Sequence, residues 1–314
     1  MSTRSRAAFV LVLCAACSDS GADNTSLFST QPPTVTGNTD TLETSGTDPS
    51  SSSTMDEETD SETESASDTD KLDFGSSDMG GPMEIAEVFG HSGNTLYRLD
   101  PGTLEVETVG PFSGCTASII DIALDADSNM YGTAFGSLWA IDRTTGACTL
   151  ITDEGSFTTS LSFVPAGTVD PEVEALVGFD EDQYVRIDPQ TGAITNLGTL
   201  SDGLESSGDM VAVIDGDAYL TVFGPGCDAT DCIVRIDPST GTVLQNYGSV
   251  GYDQVFGLAF WGGKAYGFAR EGVLFEVEFV GNSVVTTEIP IPQAPGDLEF
   301  FGAGSTTAAP PLEG

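Results

Sequence analysis

The chain has 314 residues, with 49 Asp and Glu against 9 Lys and Arg, a formal net charge of −40 and a single histidine, His91. A surface of that sign repels phosphate backbones and anionic headgroups, which argues against nucleic-acid binding and direct recognition of a lipid surface and favours divalent cations or basic partners. One histidine also leaves little room for imidazole metal sites or triads, and no GxSxG, HExxH, Walker or dinucleotide motif is present.

At the start, Arg4 and Arg6 precede a short apolar run, Ala7 to Leu13, that ends in small residues and a cysteine, the layout of a secretory signal. The run is much shorter than the about 20 residues needed to cross a hydrocarbon core, and no later segment approaches that length. Leu13-Cys14-Ala15-Ala16-Cys17 resembles the lipobox of bacterial lipoproteins, where two small residues let a peptidase cut ahead of the cysteine that takes the lipid. That resemblance implies a signal peptide over 1–16, lipidation of Cys17 and membrane contact through the lipid alone. Ser18, standing where an aspartate would retain the protein, resembles outer-membrane sorting, so the expected address is the cell envelope. Residues 17–81 are Ser, Thr, Asp, Glu and Gly with few large apolar side chains; such a segment cannot bury enough surface to offset its chain entropy and is expected to be a disordered tether.

From residue 82 the composition changes and a motif returns: LYRLD at Leu96, LWAID at Leu138, YVRID at Tyr184, IVRID at Ile233 and LFEVE at Leu274. The starts lie about 40 to 50 residues apart, the length of one four-stranded propeller blade. In the second repeat DIAL, MYGTA, SLWAID and CTLIT supply the four strands. The fourth repeat, from Asp209 to Gly224, lies over Asp121 to Gly136 without a gap, and the third carries an insertion around Pro165 to Glu174. The fold class predicted is therefore all-β, a five-bladed propeller over 82–303 with a flexible tail at 304–314; six blades would require a diverged repeat. Only three strands open the first blade, so DLEFF at Asp297 is expected to return as its innermost strand and close the ring.

Turns beginning at Asp100, Asp142, Asp188 and Asp237 repeat the pattern D-P-x-T-G or a close variant, in which Asp accepts backbone amides and Gly takes a left-handed conformation. These aspartates read as structural. So does the Asp125, Asp127, Asn129 run, which lacks the glycine and the later glutamate of a calcium loop. The strands LYRLDPGT, LWAIDRTTG, YVRIDPQTG and IVRIDPSTG, with the turn DADSNMYG, resemble the PQQ-enzyme-like and NHL-like propeller families. The resemblance covers residues 84–302 and implies the architecture.

Beyond Cys14 and Cys17 the cysteines are Cys115, Cys148, Cys227 and Cys232, an even number in an exported chain. Local pairing, Cys115 with Cys148 and Cys227 with Cys232, is preferred; zinc is not, without CxxC spacing or a nearby histidine. Loop closure gives roughly 2 kcal/mol for the short ring and about 3 to 4 kcal/mol for the longer one.

Innermost strands line a propeller's channel. Aligning them puts Asp121, Ser160, Asp209, Gly257 and Asp297 in one ring and Ala123, Ser162, Val211, Ala259 and Glu299 in the next. Three carboxylates converging at a channel mouth would suit calcium; the structural alternative is that each caps its strand and bonds nearby amides. Arg98, Arg186 and Arg235, recurring as Arg-x-Asp, are expected to form ion pairs between blades. The functional expectation is a monomeric, lipid-anchored binding or scaffold module for a protein, a glycan or a cation. The alternative is a calcium-dependent hydrolase or lyase working at the channel mouth.

Overall fold

A computed structural model describes residues 87–227 and 229–312. Cys17, the leader and the whole of the tether lie outside the described residues. Five four-stranded antiparallel sheets form the blades of a β-propeller. The first contains β1 (Val88–His91), β2 (Thr95–Asp100) and β3 (Glu105–Pro111); the second β4 (Asp121–Leu124), β5 (Met130–Ala134), β6 (Ser137–Ile141) and β7 (Cys148–Thr152). The third has β8 (Ser162–Val164), β9 (Ala175–Asp180), β10 (Gln183–Ile187) and β11 (Ile194–Thr199), with the insertion between β8 and β9. The fourth has β12 (Glu205–Ala212), β13 (Ala218–Phe223), β14 (Cys232–Ile236) and β15 (Val243–Ser249). The fifth has β16 (Val255–Trp261), β17 (Lys264–Ala269), β18 (Val273–Val280) and β19 (Ser283–Ile289), and β20 (Gly302–Ser305) returns to the first sheet.

Burial falls outward along each blade, because strands near the axis are covered on both faces while the outermost strand meets water. In the second blade β4 is buried throughout and β7 has no buried residue. Five apolar clusters fill the gaps between neighbouring blades, so the ring is held by contacts between sheets. Innermost strands also touch in sequence around the axis, and β20 meets both β16 and β4 to complete the circle.

The C-terminal strand does close the first blade, but it is not DLEFF. β20 pairs with β1 in the register Val88 to Ser305 through His91 to Gly302, and Asp297 lies in an exposed turn ahead of it. Steric crowding explains the choice. A side chain on Gly302 would overlap His91 and Asp121, and one on Gly304 would meet the carbonyl of Ile122. Only a strand of small residues such as Gly-Ala-Gly-Ser fits there. The apolar residues of DLEFF pack elsewhere: Phe300 sits edge-on to Tyr97 and Phe268, with ring centroids 6.2 and 5.1 Å apart, between the fifth and first blades.

Residues 304–314 were expected to be a free tail, yet Ser305, Thr306, Thr307 and Ala309 are buried. Thr306 donates its hydroxyl to the Asp125 carbonyl at 2.8 Å, the Thr307 carbonyl accepts the Ile214 amide at 2.8 Å, and the Pro310 carbonyl accepts the Gly262 amide at 2.8 Å. Thr307 also donates to Glu174 in the insertion of the third blade. The segment thus crosses the end of the channel where β4, β12 and β16 finish and plugs it.

Both disulfides pair locally, Cys115 with Cys148 and Cys227 with Cys232, with Cα separations of 5.3 and 5.4 Å. Arg98 pairs with Glu107 at 2.8 Å, Arg186 with Asp170 at 3.0 Å and Arg235 with Asp217 at 3.4 Å. All three pairs stay within one blade rather than bridging two, because the neighbouring strand or turn of the same sheet offers the nearer carboxylate.

Candidate functional site at the channel mouth

The turn aspartates behave as their pattern implies. Asp142 Oδ1 accepts the Thr144 hydroxyl at 2.6 Å and its amide at 2.8 Å, Asp237 takes the same two bonds from Ser239, Asp188 accepts the Gln190 amide at 2.9 Å, and these bonds hold all three carboxyls below the usual range. Gly146, Gly192 and Gly241 close the three turns with φ of 73, 74 and 75°. In the first copy Leu104 takes that conformation, at φ 59°. Asp125 likewise folds a hairpin, accepting the Asn129 amide at 2.8 Å and its side-chain amide at 2.9 Å.

On the axis, Asp121, Ser160 and Asp209 are each 0% exposed. Asp209 Oδ1 accepts the amides of Met210 at 2.6 Å and Leu161 at 3.4 Å, and Oδ2 accepts that of Leu258 at 2.8 Å. One carboxylate therefore ties the third, fourth and fifth blades. Asp121 accepts the Ile122 amide, at 2.9 Å, and its carboxyl faces that of Asp209. Ser160 accepts the Phe179 amide at 3.1 Å, within its own blade. The other two positions are glycines, Gly257 and Gly302, while Asp297 and Glu299 are exposed in the preceding segment. Glu299 stands 3.7 Å from Arg270.

The sequence reading missed His91. It is wholly buried on β1; Nδ1 donates to the Ser92 carbonyl at 2.8 Å, and Nε2 has no hydrogen-bond partner. Its ring reaches the axis through the gap left by Gly302, where a methyl would overlap both His91 Nε2 and Asp121 Oδ1. Burial lowers the imidazole pKa to about 4, so His91 is neutral. Burial, followed by the charge of Asp209, raises the Asp121 carboxyl well above its ordinary value. Burial raises Asp209 as well, opposed first by a hydrogen bond from Asp121 and then by its amide donors. Asp121 is accordingly the seat of the proton that two buried carboxyls must share.

This grouping does not form an oxygen cage for calcium, which takes six to eight oxygen ligands. Among the described residues no cluster of three or more His, Cys, Asp or Glu side chains is arranged to hold a metal ion. The axial carboxyls instead bond strand amides and fill the channel.

Directly outside this polar layer, at the end opposite the plug, lies a cavity of about 290 Å³. Ile120, Thr159, Gly208, Phe256 and Phe301 contribute to its wall, one from each blade and each one residue ahead of an axial position. Phe135 from the β5–β6 turn stands at the rim, 70% exposed, beside Arg270. A depression of about 610 Å³ elsewhere draws its lining from the second blade alone.

No protein-family model matches the chain, and no curated protein does. Among solved structures, it is similar to a symmetrical protein whose de novo evolutionary emergence is shaped by folding constraints, at 14% identity over 71% of this chain and 99% of that one, with a TM-score of 0.48. A chain of a nidogen/laminin complex matches at 13% identity over 71% and 99%, with a TM-score of 0.44. An oligogalacturonate lyase in complex with manganese matches at 13% over 68% and 64%, with a TM-score of 0.36.

Proposed function

We propose that the protein is a lipid-anchored, extracytoplasmic binding module, fixed to the membrane at Cys17, spaced from it by residues 17–81 and binding its partner through the unplugged mouth of a monomeric ring. The observation that carries this reading is the geometry of the axis. One end is crossed by the C-terminal segment, and the other opens into a cavity to which every blade contributes. Propellers with a filled channel present their ligands with the loops and strand ends at a mouth. Two disulfides fit an oxidising compartment outside the cytoplasm.

A photo-crosslinking residue at Phe135 tests the binding face, with one at Ile214, beside the plug, as its counterpart. Adducts seen by intact mass spectrometry from native envelopes are expected at Phe135 and not at Ile214. The reverse pattern, or no adduct at Phe135, overturns the reading. The mass of the mature N-terminus tests the anchor: a diacylglyceryl group on Cys17 is expected, and an unmodified Cys17 contradicts it.

A further inference from the structure

We propose that the unplugged mouth receives an organic cation, a compact alkylated ammonium group carried by a small molecule. This rests on the reading that the mouth is the binding face and names the chemistry it selects. Three phenylalanines from separate parts of the chain converge on the cavity: Phe135 from the second blade, Phe256 from the fifth and Phe301 just ahead of β20. Aromatic faces carry negative quadrupole density, and cages built from them hold alkylated ammonium groups whose charge is spread over apolar methyls. The apolar wall favours the methyls, and the aromatic faces favour the charge. A ring that leaves Phe135 70% exposed at its rim keeps one wall of such a cage open to solvent.

Charge complementarity points the same way. The ring holds six basic side chains, and each is already paired with a carboxylate, leaving a large acidic excess to attract a cation. Arg270, the cation at this mouth, is faced by Glu299 at 3.7 Å and shares an adjoining hollow with Asp253 and Glu271. Arg270 is the one charged side chain in the cavity's own lining, and the three carboxylates beside it in the adjoining hollow offset its charge. Glu299 thus acts on the mouth from just outside it, by offsetting Arg270.

Calorimetric titration of the full chain with three probes tests the inference: choline, its neutral isostere 3,3-dimethylbutan-1-ol, and benzoate. Choline is expected to bind about tenfold or more tightly than the isostere. Phe135→Leu and Phe256→Leu are expected to weaken choline by about threefold to tenfold while leaving the alcohol almost unchanged. Arg270→Gln is expected to tighten choline, and Glu299→Gln to weaken it, with unchanged melting temperatures showing that the ring is intact. If the isostere binds as well as choline, the mouth is an apolar pocket and the cation inference falls while the binding reading stands. If benzoate binds best and is lost in Arg270→Gln, the mouth is an anion site. If none of the three binds, the inference falls, and crosslinking from Phe135 still decides whether the mouth binds a partner.

Discussion

At the scale of single residues, the axis shows why a repeated aspartate need not be a ligand. Asp209 spends both oxygens on amides from three blades, so Asp209→Ala would leave three buried donors unpaired, a loss of about 3 kcal/mol or more. His91 and Asp121 give opposite responses to pH. The folded-state pKa of His91 is about 4 against an ordinary 6.5, so it adds stability above pH 6.5 that is lost as pH falls toward 4, about 3 kcal/mol in all. Asp121 is raised, so its contribution is fully present below its ordinary value and lost as pH rises through the folded-state pKa. Because the two slopes oppose each other between pH 4 and 6.5, the test is a difference: in urea midpoints measured from pH 4 to 8, His91→Gln is expected to gain stability relative to wild type as pH falls from 6.5 toward 4. Asp121→Asn, which keeps the shape of the protonated acid, should gain stability relative to wild type most at pH 8. Acid limbs that run parallel in wild type and His91→Gln would refute the neutral, buried imidazole. Asp121 and Asp209 were legible because their repeats align without a gap. His91 was not, since it lies on a second strand and enters the axis only where residue 302 lacks a side chain.

At the scale of elements, four blades were readable from apolar alternation and Asp-to-Gly turns, down to the insertion between β8 and β9. The closing strand was misplaced by a few residues. DLEFF has the apolar content of a strand, whereas Gly-Ala-Gly-Ser has none of the alternation by which strands are recognised, and its suitability lies in what it avoids touching. The plug was invisible for a related reason: its grip comes from backbone groups and two threonine hydroxyls, which no hydrophobic pattern records. Deleting residues 306–314 removes four bonds to other blades and the buried Ala309 while leaving β20 in place. The expected outcome is a ring with unchanged far-ultraviolet circular dichroism but a stability lower by about 2 to 4 kcal/mol. A deletion with no effect on the denaturant midpoint would show that the segment does not hold the blades.

At the scale of the whole molecule, repetition fixed the architecture, and the five inter-blade clusters show what the repetition is for: no blade buries its own faces without its neighbours. The mouth was less legible, because the residues that meet there come from each blade and are not a motif. Phe135, Phe256 and Phe301 share no local signature, and only closure of the ring brings them together. The same closure separates a plugged end from an unplugged one, and the proposed function rests on that asymmetry. Residue-resolved hydrogen exchange over Gly302 to Thr307 tests it. Slow exchange, matching β4 and β12 and reached only through global unfolding, is expected for a strand zipped beside Val88–His91 and continuing into a plug. Rapid exchange across this segment, with the other innermost strands still protected, would mean an open ring with two accessible ends.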